Sequence, residues 1–340
     1  MEIVELKQSE EKLWDDYVLQ SDESTFFHQI GWKNVVEHTY GHKPIYLVAK
    51  EDGQIKGILP LFWLKSKIFG KKLVSVPFAP YGGVCAETKD VEDMLLEEAK
   101  KLAEEYDVDY LELRYLGRSS DNEVLFSNSR YTTFILNLNK NIDNLWDEKL
   151  NKKVRNAVRK AYKSNLECSL CSLKQFYDLY LKNMKLLGTP AHPCDFFSKL
   201  MKEFPDKSTI FGVEYNDKVV SSTILLSFKD TLISGWTASD KEYSNLNPNN
   251  LLYWEVIKYA CEQGYSYFDF GRSLVDSGTY QFKKPWGGDI INLSYQYYGR
   301  KKIPDTSQTN PKRRKFASLW RKTPSPLANL LNPRLRGHFP

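Results

Sequence analysis

"LLEEAKKLAEEYDVDYLEL" (95–113) and "LYWEVIKYACEQGYSYFDF" (252–270) are one passage written twice. At an offset of 157 positions (252 − 95), Leu95 meets Leu252, Ala103 meets Ala260, Glu105 meets Glu262, Tyr110 meets Tyr267 and Glu112 meets Asp269. Each copy has apolar residues at helical spacing, then a short polar turn, then an alternating strand. Upstream, "PIYLVAKEDGQIKGILPLF" (44–62) and "STIFGVEYNDKVVSSTILLSF" (208–228) each read strand, tight turn, strand, with Asp52-Gly53 and Asn216-Asp217 at the turns. The order strand, strand, further strand, helix, strand therefore occurs twice. A long unit seen only twice is a duplicated domain, since a solenoid needs more repeats to bury its faces. The fold class expected is α/β (α+β): two related domains, each a mixed sheet flanked by helices.

The boundaries expected are 1–142 for the first domain, 143–300 for a basic linking helix with the second, and 301–340 for a basic tail. At 340 residues the chain is long enough for two full cores. No stretch approaches the ~20 apolar residues of a membrane span. The acidic start "MEIVELKQSEEKLWDDY" lacks the basic and apolar regions of a signal peptide, so a cytoplasmic protein is expected. Five cysteines form no regular framework, in keeping with a reducing compartment. Cys168 and Cys171 spell C-x-x-C without a second pair, on a segment that reads as a strand, and the five histidines include no H-x-x-x-H pair. No metal site is expected.

Charge is unevenly placed. From Lys301 onward there are ten Lys/Arg against Asp305, a balance of +9; the whole chain carries +5, so residues 1–300 carry −4. The tail mixes these cations with Phe316, Leu319, Trp320, Leu327, Leu330 and Leu331. Two readings stand: a half-ordered tail packing apolar residues on the domain, or a foothold on an anionic membrane surface or RNA. Between the halves, "DNLWDEKLNKKVRNAVRKAYKSNLECSL" (143–170) reads as a helix with Asp143 as N-cap and Leu150, Val154, Val158 and Ala161 as its apolar stripe. Lys149, Lys152, Lys153, Arg155, Arg159, Lys160 and Lys163 load it with cations, of which Lys152, Arg155 and Arg159 share a face. Such a strip is either a solvated helix face or a phosphate-binding one.

In "FDFGRSLVDSGTYQFKKPWGGD" (268–289) a strand breaks at Gly271 and the chain soon presents Phe282, Lys283, Lys284 and Trp286. A lysine among aromatics either snorkels to the surface or is a charge aimed at something.

Together these segments carry a family resemblance. "FHQIGW" (27–32), "KKVRNAVRKAYKSNLE" (152–167), "NMKLLGTPAHPCDFFSKLMKEF" (183–204) and "FDFGRS…SGTYQFKKPWGG" (268–288) occur in the order and spacing of the Fem aminoacyltransferases (FemA, FemB, FemX) and their exopolysaccharide-associated relatives. The resemblance covers about residues 24–300. It implies two GNAT-like domains in tandem, and an activity that moves an activated acyl group onto an amine. In the cell-wall members the donor is aminoacyl-tRNA and the acceptor a diphosphate-bearing peptidoglycan precursor. The tail resembles that of Fem-like proteins accompanying exosortase (PEP-CTERM) and exopolysaccharide loci; its charge reading adds peripheral contact with an anionic membrane, at the inner face, as one of the two expectations. Two departures mark this chain. The long coiled-coil arm is missing, which suits the compact FemX-like build. The lysines that follow the N-terminal Trp in FemX are replaced by Asn34 and Val36 after Trp32.

Site residues follow from this reading. The resemblance makes Lys283 the lysine of the family's F-K pair, and its chemistry suits the oxyanion of amide formation, with Phe282 as its wall. Substrate-side candidates are Lys152, Arg155, Arg159, Arg272, Tyr280, Trp286 and Trp32, with His192 in "GTPAHP" either a proton shuttle or a loop-ordering residue. No Ser–His–Asp or Cys–His arrangement is present, so direct transfer without a covalent enzyme intermediate is expected. No tightly bound cofactor is expected; the donor is aminoacyl-tRNA or acyl-CoA. CoA enzymes cradle the pyrophosphate on a glycine-rich turn; the equivalent places here are "APYGGVCAETKDVEDML" (79–95) and "KEYSNLNPNNLLYWE" (241–255), the second of which has no glycine, with Pro248 removing an amide. CoA-dependent N-acyl transfer is therefore the second reading, and a non-enzymatic RNA- or membrane-surface-binding protein the third.

Overall fold

The computed structural model describes residues 1–66, 70–117, 126–138, 142–299 and 310–339. The chain forms two compact units: Met1–Tyr131 with Asn292–Thr306 and Arg334–Pro340, and Thr132–Ile291 with Ser307–Pro333. Unlike the division expected from sequence, neither unit is contiguous, because a late strand and the last residues return to the first.

In the first unit β1 (Glu2–Glu5), β2 (Lys43–Glu51), β3 (Gln54–Ser66) and β4 (Gly70–Ser75) pair antiparallel in order. A short β5 (Cys85–Ala86) pairs with β3, and β6 (Tyr110–Leu116) lies parallel to β4. The returning strand Asp289–Tyr298 pairs antiparallel with β6. Helices α1 (Glu11–Gln20) and α2 (Ile30–Tyr40) precede β2, and α3 (Lys89–Glu105) links β5 to β6. Val91, Leu95, Ala99 and Ala103, one helical turn apart on α3, are buried in the first core with Leu47, Leu59, Leu73 and Leu111.

The second unit repeats the plan. β9 (Ser208–Tyr215) and β10 (Lys218–Phe228) form the hairpin, β11 (Thr231–Ser239) pairs antiparallel with β10, and β12 (Tyr267–Asp269) lies parallel to β11. On its other side β12 pairs antiparallel with β7 (Phe126–Asn137) through Asn137, Leu136 and Ile135. The outer edge is β8 (Glu167–Leu170), antiparallel to β9. β13 (Ser273–Leu274) and the returning β14 (Asp289–Tyr298) complete the count. Of the helices, a turn α4 (Ile142–Asn144), α5 (Lys152–Tyr162), α6 (Leu173–Leu187) and α7 (Cys194–Glu203) precede β9; α8 (Pro248–Glu262) links β11 to β12; and α9 (Gly278–Lys283), α10 (Pro311–Lys322) and α11 (Ser325–Arg336) follow.

The duplication is visible residue by residue. Lys72 pairs with Tyr110 and Val74 with Glu112 in one unit; Thr231 pairs with Tyr267 and Ile233 with Asp269 in the other. Leu252, Val256 and Ala260 of α8 are fully buried at the positions of Leu95, Ala99 and Ala103. Both hairpins turn where expected, with positive φ at Asp52 and Gly53 and at Asn216 and Asp217, the backbone that tight two-residue hairpins require.

Two local expectations are corrected. The basic helix starts at Lys152 and not near Asp143, because residues 145–149 form a separate π-helical turn and Asn151 caps α5, accepting from the Lys153 N–H at 2.9 Å. Its stripe Leu150, Val154, Val158 and Ala161 is buried as expected. The tail packs apolar residues on the domain, as the first of its two readings expected, but as two ordered helices, α10 and α11, held beside α6. Arg321 donates to the carbonyls of Leu186 (3.1 Å) and Leu187 (3.4 Å), the Ala191 N–H donates to Asn332 (2.8 Å), and Trp320 and Ala328 are buried.

Candidate active site

The site forms where β11 and β12 part. Their parallel pairing ends at Ile233–Asp269. On β11 the pairing with β10 skips Gly235, from Trp236 opposite Ile224 to Ser234 opposite Leu225, and this bulge bends the strand. On the β12 side Gly271 takes φ 73°, and a Cβ there would lie 2.5 Å from the Ser234 carbonyl oxygen. Only glycine lets the two backbones approach this closely before they diverge.

Past the opening, Ser277 caps α9, accepting from the Tyr280 N–H at 3.3 Å, and that short helix carries Lys283 back under the strand end. The Lys283 ammonium donates to the carbonyl oxygens of Gly271 (2.8 Å) and Arg272 (3.3 Å), using two of its three N–H donors. Lys283 is 7% exposed. Burial pulls its pKa down to about 8, opposed by the attraction of Asp269 and assisted by Arg272. Asp269 is itself buried and accepts from the Gly271 N–H (2.7 Å) and the Thr133 hydroxyl. One buried carboxylate therefore shapes the Gly271 turn and supplies the counter-charge for the lysine.

Beneath the bulge lies a hydroxyl network. Thr223 Oγ1 is 3.1 Å from Ser234 Oγ and 2.9 Å from Thr237 Oγ1, and the Tyr253 hydroxyl is 3.4 and 3.2 Å from the same two. The Tyr253 ring stacks on Phe270 at 5.4 Å and meets Phe282 at 5.4 Å and Trp286 at 5.9 Å. Phe282 and Trp286 thus pack into the core through Tyr253. Trp286 is fully buried, which removes it from contact with a substrate in this conformation. Tyr280 is half-buried against Phe134 (5.2 Å), with the exposed Lys284 over its ring at 5.9 Å. Arg272 is exposed at the mouth of the opening.

The basic helix joins the same neighbourhood at its N-terminus. The Asn151 N–H donates to the Pro285 carbonyl (3.0 Å), and Gly287 (φ 81°) packs so tightly on Lys149 that a Cβ would lie 2.5 Å from its carbonyl oxygen. Exposed Lys149, Lys152, Lys153 and Lys284 therefore gather around this junction at a helix N-terminus. Arg155 is half-buried and donates to the carbonyls of Trp146 (3.1 Å) and Asp147 (2.7 Å), while Arg159 covers the Trp146 ring at 5.3 Å. The face read from sequence thus divides into Lys152, free to meet a ligand, and Arg155, which ties the helix to the turn before it. Reversing Lys152 and Lys153 to Glu should weaken binding of a phosphate-bearing donor and flatten its salt dependence by about one unit of log–log slope per lost phosphate contact, with an unchanged melting temperature. Arg155→Glu should lower the melting temperature instead. Titration of each variant against donor over a salt series, beside a thermal melt, separates the two.

The His192 ring is 6.2 Å from the ring of Trp236, next to the β11 bulge, and Trp32 belongs to the first unit. His192 is fully buried, stacked on Phe196 at 4.2 Å, and its backbone is held by Tyr180 and Tyr177. These two bonds order the loop through its main chain. Trp32 is buried in the first unit against Phe27. Burial pushes the Cys168 thiol up to about 12 and raises those of Cys171, Cys194 and Cys261, so none is a ready thiolate nucleophile. Among the described residues no group of three or more His, Cys, Asp or Glu could hold a metal ion, and no helix is long and apolar enough to cross a membrane.

The segment that would cradle a CoA pyrophosphate is Lys241–Leu246, a 3₁₀ helix. Within it Glu242 N–H donates to the Asp240 side chain and Tyr243 N–H to the Asp240 carbonyl; just beyond it Asn247 N–H donates to Ser244 and Asn250 N–H to Asn247. Sequence reasoning missed Asp269, Ser234, Thr237 and Tyr253. The visible signal for the first was "FDFG" itself, an acid two residues before the strand-breaking glycine.

The family model described as "Acetyltransferase (GNAT) domain" matches residues 148–284, which contain Lys283 and the whole opening. No curated protein matches the sequence. Among solved structures, FemX superposes with a TM-score of 0.65 at 16% identity, over 88% of this chain and 98% of its own. A tandem GNAT protein from the clavulanic acid biosynthesis pathway gives 0.58 at 10%, over 89% and 99%. L-PGS from Bacillus licheniformis gives 0.55 at 13%, over 81% and 93%. These likenesses concern fold, and they bear out the resemblance read from the motifs. The link to PEP-CTERM loci rests on the tail's resemblance alone. The matched segment thus resembles a GNAT acetyltransferase domain, and the chain as a whole shares its fold with FemX and with the tandem GNAT protein.

Proposed function

We propose that this protein is a Fem-type acyltransferase, moving an activated acyl group, in the first instance an aminoacyl ester of tRNA, onto the primary amine of a cell-envelope precursor of peptidoglycan, exopolysaccharide or lipid type. The observation that carries the reading is Lys283, a buried cation delivered to a strand opening in a GNAT domain and anchored there by two carbonyls and a buried aspartate. The neutral amine attacks the ester carbonyl carbon, a C–N bond forms, and the carbonyl oxygen becomes an oxyanion facing the remaining Lys283 N–H. Collapse breaks the C–O bond to the leaving alcohol, which takes up the proton lost by the amine. Lys149, Lys152, Lys153 and Lys284 offer the phosphates of donor or acceptor a seat beside this point. Catalysis takes place at the cytoplasmic side of the envelope.

Acyl-CoA is the alternative donor, and the internally bonded amides of Glu242, Tyr243 and Asn247 weigh against the usual pyrophosphate cradle. The deciding experiment is mass spectrometry of what the purified protein retains, followed by single-turnover amide formation with aminoacyl-tRNA and with acyl-CoA. Retained tRNA and transfer from its ester support the proposal. Transfer from acyl-CoA alone replaces it with the second reading, and transfer from neither leaves a binding protein.

A further inference from the structure

The tail helices carry a surface that the transfer chemistry does not use. On α10 the inward residue is Trp320, while Leu319 is 60% exposed; on α11 the inward residues are Ala328 and Asn332, while Leu327 and Leu330 are 47% and 68% exposed. Leu327, Leu330 and Arg334 recur at i, i+3 and i+7 on one helical face, as do Lys315, Leu319 and Lys322 at i, i+4 and i+7. A helix packed by one face normally turns polar side chains to water with the other; here it turns leucines. Beside them, the end of α6 exposes Leu186 (43%) and Leu187 (53%), tied to α10 through Arg321. Residues 310–340 contain eight Lys/Arg and no Asp or Glu.

The geometry points to the α10–α11 pair as a docking surface for an anionic lipid bilayer, lying in the plane of the headgroups with the leucines of α10, α11 and the α6 end among the first acyl carbons. The argument is complementarity of both kinds. Aliphatic side chains ringed by cations match a surface that is negative at the headgroups and apolar just beneath, and the two contributions add. A nucleic acid would use the cations but leave the leucines in water, and it favours aromatic stacking partners. A second copy of this chain would bring the same eight cations to its own interface.

The test uses the full chain and flotation with vesicles of phosphatidylcholine containing phosphatidylglycerol, against phosphatidylcholine alone. Wild type should float with the mixed vesicles only, and less so as salt rises. Leu319→Ser/Leu327→Ser/Leu330→Ser should lower the partition coefficient about tenfold or more while keeping circular dichroism and single-turnover rate, since the three side chains are solvent-facing. Arg314→Glu/Lys315→Glu/Lys322→Glu should abolish flotation. The inference is overturned by absence of binding to the mixed vesicles, by undiminished binding of the triple-serine variant, or by RNA binding that the Arg314→Glu/Lys315→Glu/Lys322→Glu variant loses. A shift of the serine variant from dimer to monomer in light scattering overturns it as well, by making a second copy the occupant.

Discussion

Lys283→Met lowers the single-turnover rate of amide formation about 100–1000-fold, roughly 3–4 kcal/mol, with saturating donor and acceptor. Methionine keeps the unbranched stem and removes the ammonium. The carbonyls of Gly271 and Arg272 lose their donor, but Arg272 sits at an exposed mouth where water can replace it. The variant should therefore fold and bind both substrates within a few-fold. Lys283→Arg should be poor as well, because a planar guanidinium cannot occupy the place of a compact ammonium held by two carbonyls. Lys284→Met, exposed on the phosphate side, should raise KM and spare kcat. Normal turnover in Lys283→Met removes the catalytic assignment outright, and loss of kcat in Lys284→Met alone moves it by one residue.

The pH profile separates catalysis from mere anchoring. Lys283 holds its proton below about 8 and loses it above. A rate that needs the ammonium falls with one-proton slope as pH rises through about 8, and that limb vanishes in the variant. Stability moves oppositely. In the unfolded chain a lysine titrates at about 10.4, so between about 8 and 10 the unfolded state binds more protons and wild type gains stability relative to Lys283→Met as pH rises. An anchoring lysine gives the stability trend alone; a catalytic one gives both.

How much of this was legible in the sequence depended on which force placed each residue. The duplication showed because buried stripes and hairpin turns are local, periodic signals: Leu95, Ala99 and Ala103 recur as Leu252, Val256 and Ala260. Lys283 showed because its aromatic neighbours are adjacent in sequence, although Phe282 and Trp286 turn into the core and its polar partners are Gly271, Arg272 and Asp269. Ser234, Thr237 and Tyr253 were invisible because three elements assemble the hydroxyl network across long separations. The return of Asp289–Tyr298 to the first unit was illegible for the same reason: strand pairing is non-local, and an alternating strand does not announce its neighbour. The tie from Arg155 to the turn before its helix was illegible because helical spacing says which residues share a face, not that a π-helical turn will offer two carbonyls to one of them.

Glu112→Gln costs about 3–5 kcal/mol of stability in urea unfolding, with the single-turnover rate of the folded protein unchanged. Glu112 is the counterpart of Asp269, and the residue two places on decides the fate of each copy. In the second unit it is Gly271, and β12 stops after three residues to open the site. In the first it is Arg114, and β6 runs on for seven. The Arg114 guanidinium is 2% exposed; its Nε and Nη2 donate to Glu112 Oε1 at 2.8 and 2.7 Å, its Nη1 donates to the Ala79 carbonyl at 2.7 Å, and it stacks over Tyr295 at 5.2 Å. An amide at position 112 leaves that charge buried without its counter-ion, and the cost is the desolvation the carboxylate had been offsetting. Removing both charges should undo most of the damage: Glu112→Gln/Arg114→Met restores stability to within about 1–2 kcal/mol of wild type, since an apolar replacement of a buried pair is often neutral. The comparison tests the division of labour between the copies. If Glu112→Gln keeps its stability and loses turnover, the first unit holds reactive machinery and the ion pair is not what closed it. If stability falls and returns with the double variant while turnover persists throughout, the first copy is a scaffold whose opening was filled by an arginine.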